Sequence, residues 1–283
     1  MTPRCIRFFL TFVLLAVVGP AGAADRLVTL GGAVTETVFA LGLGDRIVAV
    51  DSTSTAPAAA EALPDLGYIR QISVEPVLAF DPDRVFALSS LGPPATVERL
   101  RETLRHFHLL DDPKDAEATL DLISRLGALL DREPEAMALR RSVKADLDAL
   151  RARIADRPRP RCLLFLRPPE GGSAFTAGSG TRADTMLQLA GGRNAFADAR
   201  GYRQLGAETL FSLNPEVILV GRNTDAEGPD AVAAVTGDPL LSRLPAVQAG
   251  RVHAIDLQLL RFGPSIAEAA KLLANRIHPE LAD

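Results

Sequence analysis

An alternation of short apolar runs with helical patterns, interrupted once by a long all-helical stretch, constrains the fold of this chain more than any other feature. The runs Leu27–Leu30, Ile47–Val50 and Arg84–Leu88 are typical of strands. Residues 116–154 instead contain two long helical patterns, the second with Pro134 in its first turn and apolar residues recurring every three or four positions. The alternation then resumes. The sequence therefore predicts an α/β fold of two lobes with central parallel sheets, joined by one long α-helix.

The two halves of the chain are also similar to each other. Residues 67–75 parallel residues 201–208, and residues 75–83 align with residues 208–216 without a gap. Chance similarity between short α/β segments is the alternative, but two blocks in register favour an internal duplication. Two similar lobes joined by a helix enclose a cleft, where ligands commonly bind.

The N-terminal residues have the pattern of a secretory signal. Arg4 and Arg7 precede an apolar run over 8–18, and small residues follow at 21–24. The run is too short for a transmembrane helix, and Cys5 precedes it, whereas a lipid-modified cysteine would follow it. We therefore expect a signal peptide over 1–23 that is cleaved to leave a soluble exported protein. The remaining chain divides into a first lobe over 24–132, a linking helix over 133–157 and a second lobe over 158–283.

Composition excludes several classes of function. The formal net charge is −4, which argues against nucleic acid as the main partner. Two cysteines in 283 residues exclude a disulfide scaffold, and the apolar surroundings of Cys162 predict a buried strand cysteine. His106 and His108 fall on one strand face, but no cluster of carboxylates and histidines completes a metal site, so a structural role is favoured. The sequence contains no convincing nucleophile and base pair, so we do not expect an enzyme.

Several motifs together resemble one family of transport proteins. They lie, in order, at residues 30–36, 50–54, 66–73, 177–184, 189–192, 201–202 and 262–264. In this order they resemble the periplasmic haem-binding proteins of ABC importers, which belong to the substrate-binding proteins for iron complexes and cobalamin. The segment Gly67-Tyr68-Ile69-Arg70-Gln71 is the most specific part. The resemblance implies a monomer that captures haem b between its lobes and delivers it to a permease dimer in the inner membrane. A carrier of a ferric siderophore or of cobalamin is the alternative within the same fold.

Tyr68 is the residue that chemistry and resemblance both single out. Ferric iron is a hard acceptor, a phenolate is a hard anionic donor, and tyrosinate is an established axial haem ligand. A neighbouring cation favours the ionised phenol, and Arg70 lies two residues further on. On its own, such a tyrosine is more often packed in a turn. The resemblance implies instead that Tyr68 ligates the haem iron and that Arg70 assists it.

Other candidate residues depend more heavily on the resemblance. Arg222 follows a predicted strand and resembles an arginine that helps to hold the porphyrin, although a solvated loop arginine is an equal alternative. Tyr202 occupies the duplicated position, but Arg203 and Gln204 follow it directly, so we interpret it as structural.

Two further expectations concern iron coordination and delivery. Some relatives carry a second haem-ligating histidine in the stretch that corresponds to residues 166–172, where this chain has none. Water, an open position or His253 would then complete the coordination. Glu75 and Glu208 each open a short helix, where a carboxylate complements the positive helix end. The resemblance implies that these two glutamates also dock onto the permease.

Overall fold

The computed structural model describes residues 25–222 and 230–281, so the predicted signal peptide lies outside the described residues. Within these ranges the strands are β1 Leu27–Leu30, β2 Ile47–Val50, β3 Arg84–Leu88, β4 Phe107–Leu110, β5 Arg161–Phe165, β6 Ser173–Ala177, β7 Arg193–Asn194, β8 Tyr202–Gly206, β9 Val217–Arg222 and β10 Val252–Asp256. The α-helices are α1 Gly32–Ala40, α2 Val74–Ala79, α3 Pro94–Thr103, α4 Ala116–Leu129, α5 Glu133–Ile154, α6 Arg182–Leu189, α7 Ala207–Leu213, α8 Ala231–Thr236, α9 Pro245–Gln248 and α10 Ile266–Ile277.

The first sheet is entirely parallel, with the strand order β2-β1-β3-β4. Its central strand β1 is buried along its whole length, and β3 is buried from Val85 to Leu88. Continuous apolar runs are typical of parallel strands covered on both faces, which is why these strands could be predicted. The α/β architecture of the first lobe is thereby confirmed.

The second sheet is mixed, which corrects the expectation of parallel pairing in both lobes. Its order is β10-β9-β5-β6-β8, with β7 paired to β5. Strand β6 runs antiparallel to both β5 and β8, and the other pairs are parallel. Residues 166–172 connect β5 to β6, and this segment is shorter than the crossover of about a dozen residues that a parallel pair requires. Gly171 and Gly172 have φ angles of 57° and 74°, so glycine suits this tight connection.

Helix α5 follows the first sheet and precedes the second, as predicted. Acidic residues in its first turn and Arg151 and Arg153 in its last turn complement the helix dipole. Val143, Leu147 and Leu150 are buried on one face, and α5 contacts both α4 and α10. A single apolar cluster therefore continues from the first lobe through α5 into the second. The exact lobe boundaries stay predictions.

Cys162 is buried in β5, and burial raises the pKa of its thiol to about 12. Its position confirms the interpretation as a buried strand cysteine.

None of the helices in the described ranges is both long enough and apolar enough to cross a membrane.

Candidate ligand pocket between the lobes

A pocket of about 160 Å³ lies between the two lobes, as expected. The first lobe contributes loops that follow the carboxyl ends of its strands, the position where open α/β sheets bind ligands. The second lobe contributes the start of α6 and the segment before α10. The residues that the following paragraphs use are Gly31, Thr53, Tyr68, Arg70, Ser90 and Asp112 from the first lobe, and Arg182, Arg261 and Phe262 from the second.

Tyr68 lies on a short loop that neighbouring backbone groups hold in place. The Ser52 N–H donates to the carbonyl of Gly67 at 2.9 Å, and the Gly92 N–H donates to the carbonyl of Ile69 at 3.0 Å. Gly67 has a φ of 93°, a conformation that favours glycine, and Ile69 is buried as an anchor. The side chain of Tyr68 remains 47% exposed. The loop therefore presents the tyrosine to the pocket instead of packing it into the core.

Arg70 lines the same pocket from the turn that follows Tyr68. Its side chain is exposed, and the structure shows no hydrogen-bond or ion-pair partner for its guanidinium within residues 25–222 and 230–281. All of its donors are therefore available to a bound molecule.

Asp51 organises two of the loops that line the pocket. Its buried carboxylate accepts hydrogen bonds from the Gly31 N–H at 2.6 Å and the Ser54 hydroxyl at 2.7 Å. The backbone N–H and the hydroxyl of Thr53 donate to its other oxygen at 3.0 and 2.5 Å. A buried carboxylate is stable only when it is satisfied in this way. Asp51 thus joins the turn after β1 to the loop after β2.

Arg261 reaches from the second lobe into the first. Its guanidinium donates to the Thr53 carbonyl at 2.7 Å, to the Thr55 hydroxyl at 2.5 Å and to the side-chain carbonyl of Gln258. Burial lowers the pKa of Arg261, and nearby carboxylates, first among them Glu36, oppose that shift. Arg261 is therefore committed to protein acceptors.

A second contact between the lobes is the ion pair of Asp112 and Arg182. The Arg182 guanidinium lies 2.6 Å from a carboxylate oxygen of Asp112. Asp112 also accepts hydrogen bonds from the Ser89 hydroxyl at 3.0 Å, the Ser90 N–H at 2.6 Å and the Ser90 hydroxyl at 3.0 Å. Both charged residues line the pocket beside Tyr68.

The structure brings Tyr68 and Arg70 together but places Arg222 elsewhere. Arg222 is the last residue of β9, is exposed, and is not among the described residues that line the pocket. The segment that follows it, 223–229, lies outside the described residues. Its role in holding a ligand stays a prediction.

Tyr202 and the described histidines lie away from the pocket lining. Tyr202 is half-buried against Phe175, with ring centroids 5.9 Å apart, and burial raises the pKa of its phenol. His108 stacks on Phe86 at 5.0 Å, and burial lowers its pKa. Neither it nor His106 belongs to a group of potential metal ligands within the described ranges. His253 lies on β10, where burial lowers its pKa. Of the described histidines, none lines the pocket.

Glu75 and Glu208 occupy equivalent places in the two lobes. Each lies in the first turn of a short helix, α2 and α7 respectively, and each side chain is exposed. They are thus accessible to a partner, as their predicted docking role requires.

Sequence reasoning missed Asp112, Arg182 and Arg261. Asp112 follows strand β4 as Asp51 follows β2, so the rule that strand ends carry functional side chains points to it. Arg261 directly precedes the 262–264 motif. No local signal marks Arg182 as a pocket residue, since its position depends on how the second lobe packs on the first.

Known proteins similar to this chain are described as binding proteins, and those with a named ligand differ in that ligand. A family described as periplasmic binding protein matches residues 27–259. In structure, the chain is similar to the periplasmic haem-binding protein BhuT in complex with two haems, with a TM-score of 0.83, 34% identity, and 91% of this chain and 99% of that chain covered. In sequence it is 28% identical over 260 residues to an uncharacterised ABC transporter substrate-binding lipoprotein, YvrC, of Bacillus subtilis (strain 168), covering 90% of this chain and 80% of the relative. It is 30% identical over 203 residues to the vitamin B12-binding protein of Yersinia pestis (strain Pestoides F), covering 71% of each chain.

Proposed function

This chain belongs to the periplasmic binding protein family, and on that premise we propose that it captures haem in the pocket between its lobes and delivers it to an ABC-transporter permease. The family consists of solute-binding proteins, so no chemical turnover is involved. The proposal concerns the ligand, the residues that hold it and the route of delivery.

The observation that carries the proposal is that Tyr68 and Arg70 line the same pocket. Tyr68 is half exposed and held on a rigid loop, so its phenol oxygen is accessible to a ligand. Arg70 has no protein partner in the described part of the chain, so its guanidinium can donate hydrogen bonds to a ligand bound beside Tyr68. A phenolate is a good axial ligand for ferric haem, and guanidinium groups suit the haem carboxylates.

The relatives support a haem carrier and leave one alternative. The similarity to BhuT extends over nearly the whole described chain at 34% identity. The similarity to a vitamin B12-binding protein, at 30% identity, favours cobalamin as the second candidate ligand. Cobalamin binding would not require the Tyr68 phenolate as a metal ligand, so the accessible Tyr68 beside Arg70 favours haem.

Tyr68 is the single protein ligand to iron in this proposal. Residues 166–172 contain no histidine, and none of the described histidines lines the pocket. Water or an open position completes the coordination, and a weak-field phenolate then leaves ferric iron mainly high-spin.

Delivery depends on surfaces outside the pocket. Glu75 and Glu208 are the docking acids, one on each lobe, since both are exposed on equivalent helices. Export through a signal peptide over 1–23, cleaved after Ala23, brings the chain to the periplasm.

Retention of ligand by the purified chain without residues 1–23 tests the proposal. The protein is incubated separately with excess haem and excess cyanocobalamin, and each mixture is passed over a desalting column. We expect haem to co-elute with the protein and cyanocobalamin to separate from it. Retention of cyanocobalamin without retention of haem would favour the alternative ligand.

A further inference from the structure

The three arginines that line the pocket differ in how firmly protein groups hold them. Arg261 donates to three protein oxygens, and Arg70 to none within the described residues. Arg182 is intermediate, because Asp112 is its one hydrogen-bond partner in the described part of the chain. The pocket lining thus has three guanidinium groups and one carboxylate, in a chain whose formal net charge is −4.

The ion pair between Arg182 and Asp112 is unequal. If Arg182 moves away, Asp112 keeps the three hydrogen bonds that Ser89 and Ser90 donate. Arg182 instead loses its one described partner and requires another acceptor. The two side chains are 36% and 26% exposed, and ion pairs with this much exposure contribute little to stability. Replacing Asp112 by another acceptor for Arg182 therefore costs little free energy.

The size of the pocket makes such an exchange necessary for a large ligand. A volume of about 160 Å³ is below the roughly 300–1,000 Å³ of most small-molecule sites. The ion pair joins the two lobes at the lining of this pocket. A ligand the size of haem must part these two side chains to lie between the lobes.

We propose that Arg182 receives a carboxylate of the ligand and that Asp112 holds the same guanidinium until that carboxylate replaces it. This inference rests on the proposed function, since haem carries two carboxylates. The backbone at Arg182 is fixed, because the Thr181 hydroxyl oxygen caps α6 by accepting from the Asp184 N–H at 3.1 Å. The exchange therefore requires a movement of the side chain and of the lobes, not a change in the helix.

Competition between two carboxylates for one guanidinium has a distinctive consequence. Removing the Arg182 charge weakens binding of a ligand that carries carboxylates. Removing the Asp112 charge strengthens it, because the internal competitor is lost. A ligand whose carboxylates are esterified must still part the ion pair but has no anion to offer Arg182, so removing the Arg182 charge does not weaken its binding.

The test compares haem with haem dimethyl ester, both dispersed in the same detergent, in absorption titrations. The variants are Arg182→Gln, Arg182→Lys and Asp112→Asn. Arg243→Gln is the matched control, because Arg243 is exposed on the second lobe, lies outside the pocket lining, and loses the same charge. Thermal unfolding of each variant verifies that it is folded.

We expect Arg182→Gln to weaken haem binding about tenfold or more, as loss of a charged hydrogen bond does, and Arg182→Lys to restore part of the loss. Asp112→Asn tightens haem binding, and Arg182→Gln does not weaken binding of the dimethyl ester. Equal weakening for haem and the ester, or no effect of Arg182→Gln, would overturn the inference while leaving Tyr68-dependent haem binding intact. Failure of the wild type to bind haem would overturn the proposed function and the inference together.

Discussion

The carboxylate of Glu36, on α1 of the first lobe, accepts a 2.6 Å hydrogen bond from the backbone N–H of Ser265, the residue that precedes α10 of the second lobe. The N-terminal end of a helix has unpaired N–H groups and a partial positive charge, so a carboxylate stabilises it. Here the stabilising group comes from the other lobe. The hydrogen bond from Ser265 to Glu36 thus links the two lobes independently of the ion pair between Asp112 and Arg182.

The position of the Glu36 carboxylate leaves little room for a side chain at residue 263. A Cβ atom at Gly263 would lie 2.2 Å from Oε2 of Glu36, which is far inside van der Waals contact. We predict that Gly263→Ala lowers the free energy of unfolding by about 1–3 kcal/mol, the usual cost of overpacking, as measured by urea titration. Gly206→Ala is the control, because no atom lies within 4 Å of its Cβ position. If Gly263→Ala costs as much in a Glu36→Ala background as in the wild type, the clash is not with Glu36.

Burial of Glu36 predicts a pH dependence of stability. Burial raises the pKa of this carboxyl from 4.5, although the hydrogen bonds from Ser265 and the charge of Arg261 oppose the shift. The folded state therefore binds the proton more tightly than the unfolded state does. The associated stability is present below about pH 4.5 and is lost as the pH rises through the folded-state pKa.

Glu36→Gln isolates this effect, because glutamine stays neutral and its side-chain oxygen still accepts from Ser265. We predict that the free energy of unfolding of Glu36→Gln increases relative to that of the wild type as the pH rises from 4 towards 7. Urea unfolding at several pH values measures the difference, with exposed Glu98→Gln as the control. A difference that is constant with pH, or that changes in the opposite direction, would refute the assignment.

Local patterns predicted the elements of this fold, while contacts distant in sequence determined the rest. β1, β2 and β3 have the predicted bounds, because each is a short apolar run that local sequence identifies. The sequence did not predict that β6 runs antiparallel to β5 and β8, because an alternation of strands and helices does not specify strand direction.

The same division applies to the pocket. Tyr68 and Arg70 were predictable because they belong to one continuous motif. The pairing of Arg182 with Asp112 joins residues 70 positions apart in different lobes, and only the packing of the lobes brings them together.

Docking to the permease predicts a loss of uptake without a loss of binding. We expect the double variant Glu75→Gln and Glu208→Gln to bind haem like the wild type but to support a severalfold lower rate of permease-dependent haem uptake. Exposed charges at an interface mainly govern encounter and orientation. Glu98→Gln with Glu133→Gln is the matched control, since both residues are exposed and the change in net charge is equal. Wild-type uptake by the docking variant would leave only the helix-end role for these glutamates.

Coordination by Tyr68 alone predicts a mainly high-spin ferric complex. His253 lies on β10 and is not among the described residues that line the pocket, so His253→Ala should leave the spin state unchanged. Electron paramagnetic resonance of the ferric haem complex measures this directly. A dominant low-spin signal that disappears in His253→Ala would show that a histidine completes the coordination.

The most direct test of haem capture by Tyr68 is the absorption spectrum of the ferric haem complex in three proteins: wild type, Tyr68→Phe and Tyr202→Phe. Tyr202 is the matched control, because it is the other tyrosine of the chain and occupies the duplicated position. We predict a tyrosinate-to-iron charge-transfer band in the wild type and in Tyr202→Phe, and its loss in Tyr68→Phe together with a fall in affinity of about tenfold or more. An unchanged spectrum and affinity in Tyr68→Phe would contradict the assignment.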